Sequence, residues 1–487
     1  MPDAKPKIPD DVEAPRPVED SPSQFGEILK TEQAPHDAVF GELNEDGPNY
    51  RNVGWLGTVA LMMKTQIGLG VLSIPSVFDT LGMIPGVVIL CVVASIATWT
   101  SYMVGIFKLK HPEVYGFEDA GALMFGRIGK EIFGIAFSLY WVFVAGSGIL
   151  GISISLNAIS SHGTCTAAFV AIAAIIGFCF SSIRTLGKIS WIAWLGLASI
   201  STAVLIVTIG VGIQDRPSSA PQVGPWSSDY KINRNPSFAD GVSAVSSLIF
   251  ACSATPAYFS LAAEMRDPRL FTRSLVIAQA GSTIIYLAIG IVVYYYCRSY
   301  VASPALGSAG LLIKRISYGI ALPGLIASTT IVLHVSNFLF SRLKTESNKF
   351  QLPSKYFFIR ILRGSKHLTS NSMIHWSTWL GCTFSATVVA YLIASGIPFF
   401  NNLVSLIGAL LGVFLAYQPT GCMWFYDNWG SRDVRNWRWM LMASWCVFII
   451  LIGSFMTIAG TYGSVVGIIN SLKDGGTKPW TCADNSV

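Results

Sequence analysis

Gly68-Leu69-Gly70-Val71-Leu72-Ser73-Ile74-Pro75 sits inside an apolar run that extends from residue 52 to residue 78. A bilayer core of about 30 Å takes about 20 helical residues, so the run is long enough to cross. Its middle is poorly suited to an unbroken helix. Two glycines lower helical preference, and Pro75 removes a backbone donor. Alone, the pattern describes a kinked or closely packed helix as well as a broken one. Five spans later a second interruption occupies the matching place: Ala251-Cys252-Ser253-Ala254-Thr255-Pro256-Ala257-Tyr258-Phe259. Two interrupted helices in corresponding positions of two halves point to a transporter site.

Eleven apolar stretches can be counted: 52–78, 84–107, 131–157, 165–183, 189–213, 240–263, 271–297, 320–341, 374–395, 398–418 and 437–465, numbered below as spans 1 to 11. They are too long and too uniformly apolar for the alternating strands of a membrane barrel. The expected fold is therefore an all-α integral membrane protein of about eleven transmembrane helices. Spans 1–5 (about 52–213) and 6–10 (about 240–418) form two repeats. Each has an odd number of helices, so the second is inverted relative to the first. Span 11 is an addition.

Composition agrees. Of 487 residues 52% are apolar and 12% charged, and the mean hydropathy is +0.54. Soluble proteins carry about 25% charged residues. The net charge of +6 is spread out, which speaks against nucleic acid as a partner. Residues 1–50 hold twelve acidic and four basic side chains, a balance of −8, while the rest of the chain stands at +14. This Pro- and Asp/Glu-rich segment buries too little apolar surface to fold and is expected to be a disordered tail. It lacks the pattern of a secretory signal. Residues 51–470 form the membrane domain, and 471–487 a short outer tail.

With the N-terminus in the cytoplasm, the inner loops carry nineteen Lys and Arg and the outer segments eight. That asymmetry predicts a multi-pass protein with its N-terminus inside and its C-terminus outside. Cys165, Cys297 and Cys482 then lie on the outer side. A disulfide such as Cys165–Cys297 can form there, with the pairing open. No Cys/His cluster has metal-ligand spacing. Gly146-Ser147-Gly148-Ile149-Leu150-Gly151 matches G-x-G-x-x-G but follows no strand, so it reads as close helix packing or a substrate-facing surface rather than a dinucleotide site. No Walker A, H-E-x-x-H or G-x-S-x-G sequence is present, and the chain is expected not to be an enzyme.

An unwound segment frees N–H groups that favour an anion and carbonyls that favour a cation. A zwitterionic amino acid presents both charges on one carbon. Two broken helices can thus hold it without a charged side chain. Gly68 to Pro75, together with Ala262-Ala263-Glu264-Met265-Arg266-Asp267-Pro268-Arg269-Leu270-Phe271, resembles the amino acid/auxin permease family, within it the fungal neutral amino-acid permeases of the methyltryptophan-resistance type. The resemblance runs from about residue 52 to residue 469. It implies a LeuT-like fold of 5+5 inverted repeats and proton-coupled uptake of neutral aliphatic and aromatic amino acids at the plasma membrane. Carried over by position, Gly68, Leu69 and Gly70 lie at the substrate's main-chain end, with Ser253, Ala254 and Thr255 opposite. Many members have a Gly-His pair where this chain has Ala254-Thr255, so no titrating histidine is available there.

Ionisable residues within spans are expensive and functional by default. Lys64 in span 1 and Glu264 in span 6 are expected to approach each other as part of an inner gate; the alternative is that each snorkels to the interface. His334 in span 8 suits proton exchange, or is held by nearby backbone. Ser328, Thr329 and Thr330 offer oxygens for a sodium site, or bond their own preceding turn. Proton and sodium both remain open on the residues alone; the resemblance favours the proton, and no other cofactor is expected. Tyr140, Trp141 and Phe259 shape the side-chain pocket or simply pack. The expected partners are an amino-acid substrate and the bilayer, with the oligomeric state open. A vacuolar transporter and a sensing receptor that binds without translocating are the other readings.

Overall fold

The computed structural model describes residues 53–182, 189–217, 219–226, 230–335, 373–430, 436–473 and 478–486, and the short strands His36–Asp37 and Gly41–Glu42. For 36–37, 41–42, 189–193, 334–335, 374–375 and 378 the backbone alone is described. The remainder of the expected acidic tail, and the inner loop after residue 335, lie outside the described residues. The two strands pair antiparallel, His36 opposite Glu42. Below, inner denotes the Trp55 end of the helical bundle and outer the Leu81 end.

The bundle is helical throughout. Among the described residues nine helices are long and apolar enough to cross a membrane, and ten if the two parts of span 1 count as one. Span 4, Thr166–Ser181, is apolar but has only 16 residues. Burial sorts the spans: 78% of the apolar window of span 6 is buried, against 22% for span 11. The interrupted helix is thus central and span 11 peripheral. Exposed Ile209, Phe384, Leu451 and Ile458 form apolar outer faces, the arrangement that a lipid solvent requires. Spans 3, 4, 5, 8 and 9 pack together, while span 7 lies along both parts of span 1 and spans 10 and 11 lie along the outer part of span 6.

Several boundaries differ from expectation, each for a local reason. Span 8 starts at Leu311, not near 320. Its charged first turn is satisfied: Lys314 Nζ donates to the Ser486 carbonyl, and Arg315 to the Ser161 hydroxyl. Pro323 lies inside this helix. Ser199 of span 5 inserts beside it, donating to the Ile320 carbonyl at 2.5 Å and accepting from Gly324 N–H at 3.1 Å. Span 3 runs on from a short inner helix, broken at Gly126 where φ is +66°. Span 10 extends over Phe400–Asn428 rather than ending at 418, with a π-turn at Gly408–Gly412. Gly408 is needed there, because a Cβ would lie 2.1 Å from the Ser246 carbonyl of span 6. Span 11 reaches Lys473.

The disulfide joins Cys165 to Cys482, not to Cys297. Cys297 is a buried free thiol 3.7 Å from the Ser308 carbonyl. The end of the chain folds back over the outer ends of spans 3 and 4: Thr166 donates to the Ala483 carbonyl at 2.6 Å, and Asn485 bonds Asn157 at 2.6 Å and Ser153 at 3.1 Å. The bond closes a separation of 317 residues. Cross-links over long loops restrict the unfolded chain, typically contributing about 2–4 kcal/mol. Cys165→Ser and Cys482→Ser should each lower the unfolding temperature of the purified protein by the same amount. Unchanged melting in both would contradict a structural role for the bond.

Candidate functional site

Both suspect segments are broken. In span 1 an α-helix, Trp55–Gln66, ends at Ile67, whose backbone leaves the helical region (φ −77°, ψ 80°) in a tight turn closed by Gly68 N–H donating to the Gln66 carbonyl at 2.9 Å. A 3-10 turn, Gly70–Ser73, then leads into a second α-helix, Ile74–Leu81. The two parts, Trp55–Gln66 and Gly70–Leu81, are bent by 42°; they are denoted 1a and 1b. In span 6 the helix Phe238–Cys252 (6a) ends at Ser253 (φ −100°, ψ 82°). A 3-10 turn, Thr255–Ala257, restarts it with Pro256 in the first turn, where the missing N–H does no harm, and Tyr258–Glu264 completes 6b.

The breaks touch backbone to backbone. A Cβ on Gly70 would lie 2.6 Å from Ala251 Cα and 2.9 Å from Ala251 Cβ. Glycine is therefore required for the approach. The ends of 1a and 6a, which offer carbonyls, meet the starts of 1b and 6b, which offer N–H groups. Leu69, Gly70, Ser253, Ala254 and Thr255 are all buried, and so is Gly68.

A polar cluster that the residue survey did not single out stitches the breaks together. Gln66, the last residue of 1a, donates through Nε2 toward Gln279 Oε1 of span 7 (2.5 Å), Tyr258 Oη of 6b (3.0 Å) and the Cys252 carbonyl of 6a (3.4 Å). Tyr286 of span 7 donates to the Ala251 carbonyl at 2.9 Å. Gln66 Oε1 and the hydroxyls of Ser253, Ser282 and Tyr417 are buried without a hydrogen-bond partner. The Ser253 and Tyr417 hydroxyls lie close to each other. Buried polar groups left unpaired are expensive, so such oxygens mark places where a ligand or water is accommodated. A search for neutral amides inside apolar spans, not only for charges, finds Gln66 and Gln279.

A family model described as transmembrane amino acid transporter protein matches residues 51–463. The chain belongs to that family. It is 31% identical over 457 residues to a transmembrane transporter of Gibberella moniliformis, covering 94% of this chain and 92% of that one. It is also 31% identical to the N amino acid transport system protein of Neurospora crassa, over 91% of each chain. Among solved structures it is similar to Mhp1, a nucleobase-cation-symport-1 family transporter, in a closed conformation with bromovinylhydantoin bound. The TM-score is 0.52 at 14% identity, over 88% of this chain and 95% of that one. The inward facing conformation of Mhp1 gives 0.51 at 13% identity, over 88% and 91% of the two chains. The fold is thus LeuT-like, and the protein is a multi-pass membrane transporter of the amino acid transporter family rather than an enzyme.

The other named residues of the transporter fall into groups. Tyr140 is buried, edge-on to Trp141, and reaches toward Gly412 of span 10. Thr255 turns to span 2, where Ser101 is at 3.1 Å and Thr100 at 3.5 Å. Phe259 packs at the inner side, 5.1 Å from the Phe117 ring and 6.5 Å from Phe107. The G-x-G-x-x-G glycines are packing surfaces. A Cβ on Gly146 would meet Ile393, one on Gly148 would lie 2.3 Å from Thr329 Oγ1, and one on Gly151 would meet Leu69.

Lys64 and Glu264 are not brought together. Lys64 is buried, its Nζ donating to Ser328 Oγ of span 8 at 3.1 Å, with Gly196 of span 5 alongside. The Glu264 carbonyl instead accepts from Val53 N–H at 3.4 Å, eleven residues before Lys64, which is roughly 16 Å along a helix. The register put both on the inner side of the breaks but did not fix which neighbour each would face. Thr329 donates to its own preceding turn, at the Leu325 carbonyl (2.9 Å), while the buried Thr330 hydroxyl has no partner. His334 lies in the span 8 helix, with its side chain outside the described residues.

Proposed function

We propose that this transporter is a proton-coupled symporter of neutral amino acids in the plasma membrane, its N-terminus cytoplasmic and its C-terminus outside. The substrate's main chain is held between residues 68–70 and 253–255. The helix starts at Gly70 and Thr255 receive the carboxylate, and the carbonyl ends of 1a and 6a receive the ammonium. Tyr140 and Tyr417 border the side chain. Small residues and buried rings around the breaks, with no charged side chain among the described residues 66–73 and 251–259, suit a neutral substrate.

The observation that carries the coupling is the contact between Lys64 and Ser328. Span 8 hydroxyls facing span 1 could hold sodium, but an ammonium occupies that place and Thr329 is engaged with its own helix. A lysine's proton affinity responds to its surroundings more readily than an arginine's, which makes Lys64 the proton carrier. Protonated, it fills the slot between spans 1, 5 and 8 and holds 1a against the scaffold. Deprotonated, it releases 1a.

Purified protein in sealed liposomes tests the reading. An inward proton gradient should concentrate labelled leucine or phenylalanine without sodium, and preloaded cold amino acid should drive counterflow. Binding without counterflow would establish a receptor. Accumulation that requires sodium would overturn the proton and assign the unpaired Thr330 hydroxyl to a sodium site.

A further inference from the structure

His111 closes the inner end of span 2, its backbone N–H donating to the Phe107 carbonyl at 2.8 Å. Its imidazole stands between two carboxylates. Nε2 is 2.8 Å from Asp427 Oδ1, near the inner end of span 10, and Nδ1 is 3.5 Å from Glu113 Oε1 in the connection to span 3. The Asp427 side chain is 4% exposed and that of Glu113 49%. Asp427 is therefore the stronger partner, because little water screens it. Lys110 Nζ stands 3.2 Å from the other Asp427 oxygen. Aromatic rings flank the imidazole, with centroid distances of 4.5 Å to Phe107 and 5.8 Å to Tyr426. Lys108 turns the other way, donating to the Pro112 carbonyl at 2.6 Å over the Tyr115 ring. Span 11 meets the end of span 10 through Trp439, whose indole N–H donates to the Asn428 carbonyl at 3.3 Å, and its Arg438 is exposed.

A neutral imidazole has one N–H and an imidazolium two. With a carboxylate at each nitrogen, only the protonated ring has a donor for both. Protonation also turns the Asp427 contact into a hydrogen bond between opposite charges, roughly twice as strong as a neutral one. Histidine is the side chain that gains and loses its proton between about pH 5 and 8.

The contact joins two elements that part when the inner side opens. Span 2 is tied to span 6, with the Ser101 hydroxyl 3.1 Å from that of Thr255 and the Phe107 ring 6.5 Å from Phe259 of 6b. Asp427 belongs to span 10, which packs along span 11. In this structure the inner ends are shut: Val53 pairs with Met265, and Phe259 lies 5.1 Å from the Phe117 ring. Movement of 6b away from these contacts draws span 2, and His111 with it, off Asp427. We infer that His111 is a regulatory proton site on the inner face, where protonation holds the end of span 2 on Asp427 and keeps the inner side shut. The sign follows from linkage. A proton that binds the shut form better favours the shut form. Acid at the inner face, cytoplasmic in the proposed topology, slows transport, and alkali releases it. This brake is separate from the coupling step and does not depend on which ion drives uptake.

Exchange of labelled for unlabelled leucine in sealed liposomes, with equal pH on both sides, reads inner opening without a proton gradient. His111→Gln keeps an N–H donor and does not titrate. At about pH 8 it should match the unmodified protein, and at about pH 6 it should exchange about fivefold faster, the lower end of typical coupling between sites. Asp427→Asn should lose the acid slowing in the same way. A contact that merely braces the fold would shift the rates equally at both pH values, so a variant-to-unmodified ratio that is independent of pH overturns the site. Amide hydrogen exchange of the purified full chain reads the same site without transport. After correction for the chemical exchange rate, protection at the inner ends of spans 2 and 10 should rise on acidification in the unmodified protein and not in His111→Gln. An equal response in both overturns the site whatever the liposomes show. Acid-dependent protection in the unmodified protein alone, with no leucine exchange, would uphold the proton site and sink the leucine-transport reading.

Discussion

Gly70→Leu is expected to cut uptake about a hundredfold. Any side chain here meets backbone, not a movable tip, because its Cβ falls 2.6 Å from Ala251 Cα. The crossing of spans 1 and 6 must therefore open, which shifts every main-chain group at both breaks. Displacement of reacting or binding groups by about 1 Å typically costs about a hundredfold, and the initial rate of uptake per inserted molecule should fall by about that factor. Gly381→Ala, in span 9 and away from the breaks, is the control. Nothing lies within 4 Å of its Cβ. Transport should survive it. Equal loss in both variants would mean that the close crossing is not what the site depends on.

Lys64→Met separates transport from its drive. Methionine keeps much of the volume and removes the charge that donates to Ser328. The substrate groups at the breaks are untouched, so counterflow persists. Concentration against a gradient does not. A one-unit pH difference carries about 1.4 kcal/mol, enough for a concentration ratio of about ten. In liposomes under that gradient the internal ratio should fall from about ten toward one. Proton-driven accumulation that survives Lys64→Met would remove Lys64 from the coupling step.

The parts of this molecule that were legible in sequence are those written in backbone chemistry. Glycine and proline act on the main chain of their own segment, so Gly68 to Pro75 and Ser253 to Pro256, as a matched pair, pointed to the breaks. The apolar stretches announced the spans because the bilayer fixes their length. Properties that depend on a distant neighbour were not legible. Cys482 rather than Cys297 reaches Cys165 because the chain end folds back through Asn485 and Ala483, which spacing cannot reveal. Lys314 and Arg315 looked like loop residues until their outer partners were in place. Lys64 was placed on the correct side of the break but opposite the wrong residue, since helical register gives depth and a broad sector, not a contact. Gln66 and Gln279 passed unnoticed because a neutral amide carries no charge to draw attention, although inside a membrane its unmet hydrogen bonds are also expensive.

The central claim is that main-chain groups at the two breaks hold the amino acid. A cryo-EM map of the purified transporter with leucine or phenylalanine bound decides it. The account predicts density for the α-carbon and both its charged groups between residues 68–70 and 253–255, with the carboxylate nearer Gly70 and Thr255. Density lodged elsewhere, with both breaks closed over protein alone, would contradict it.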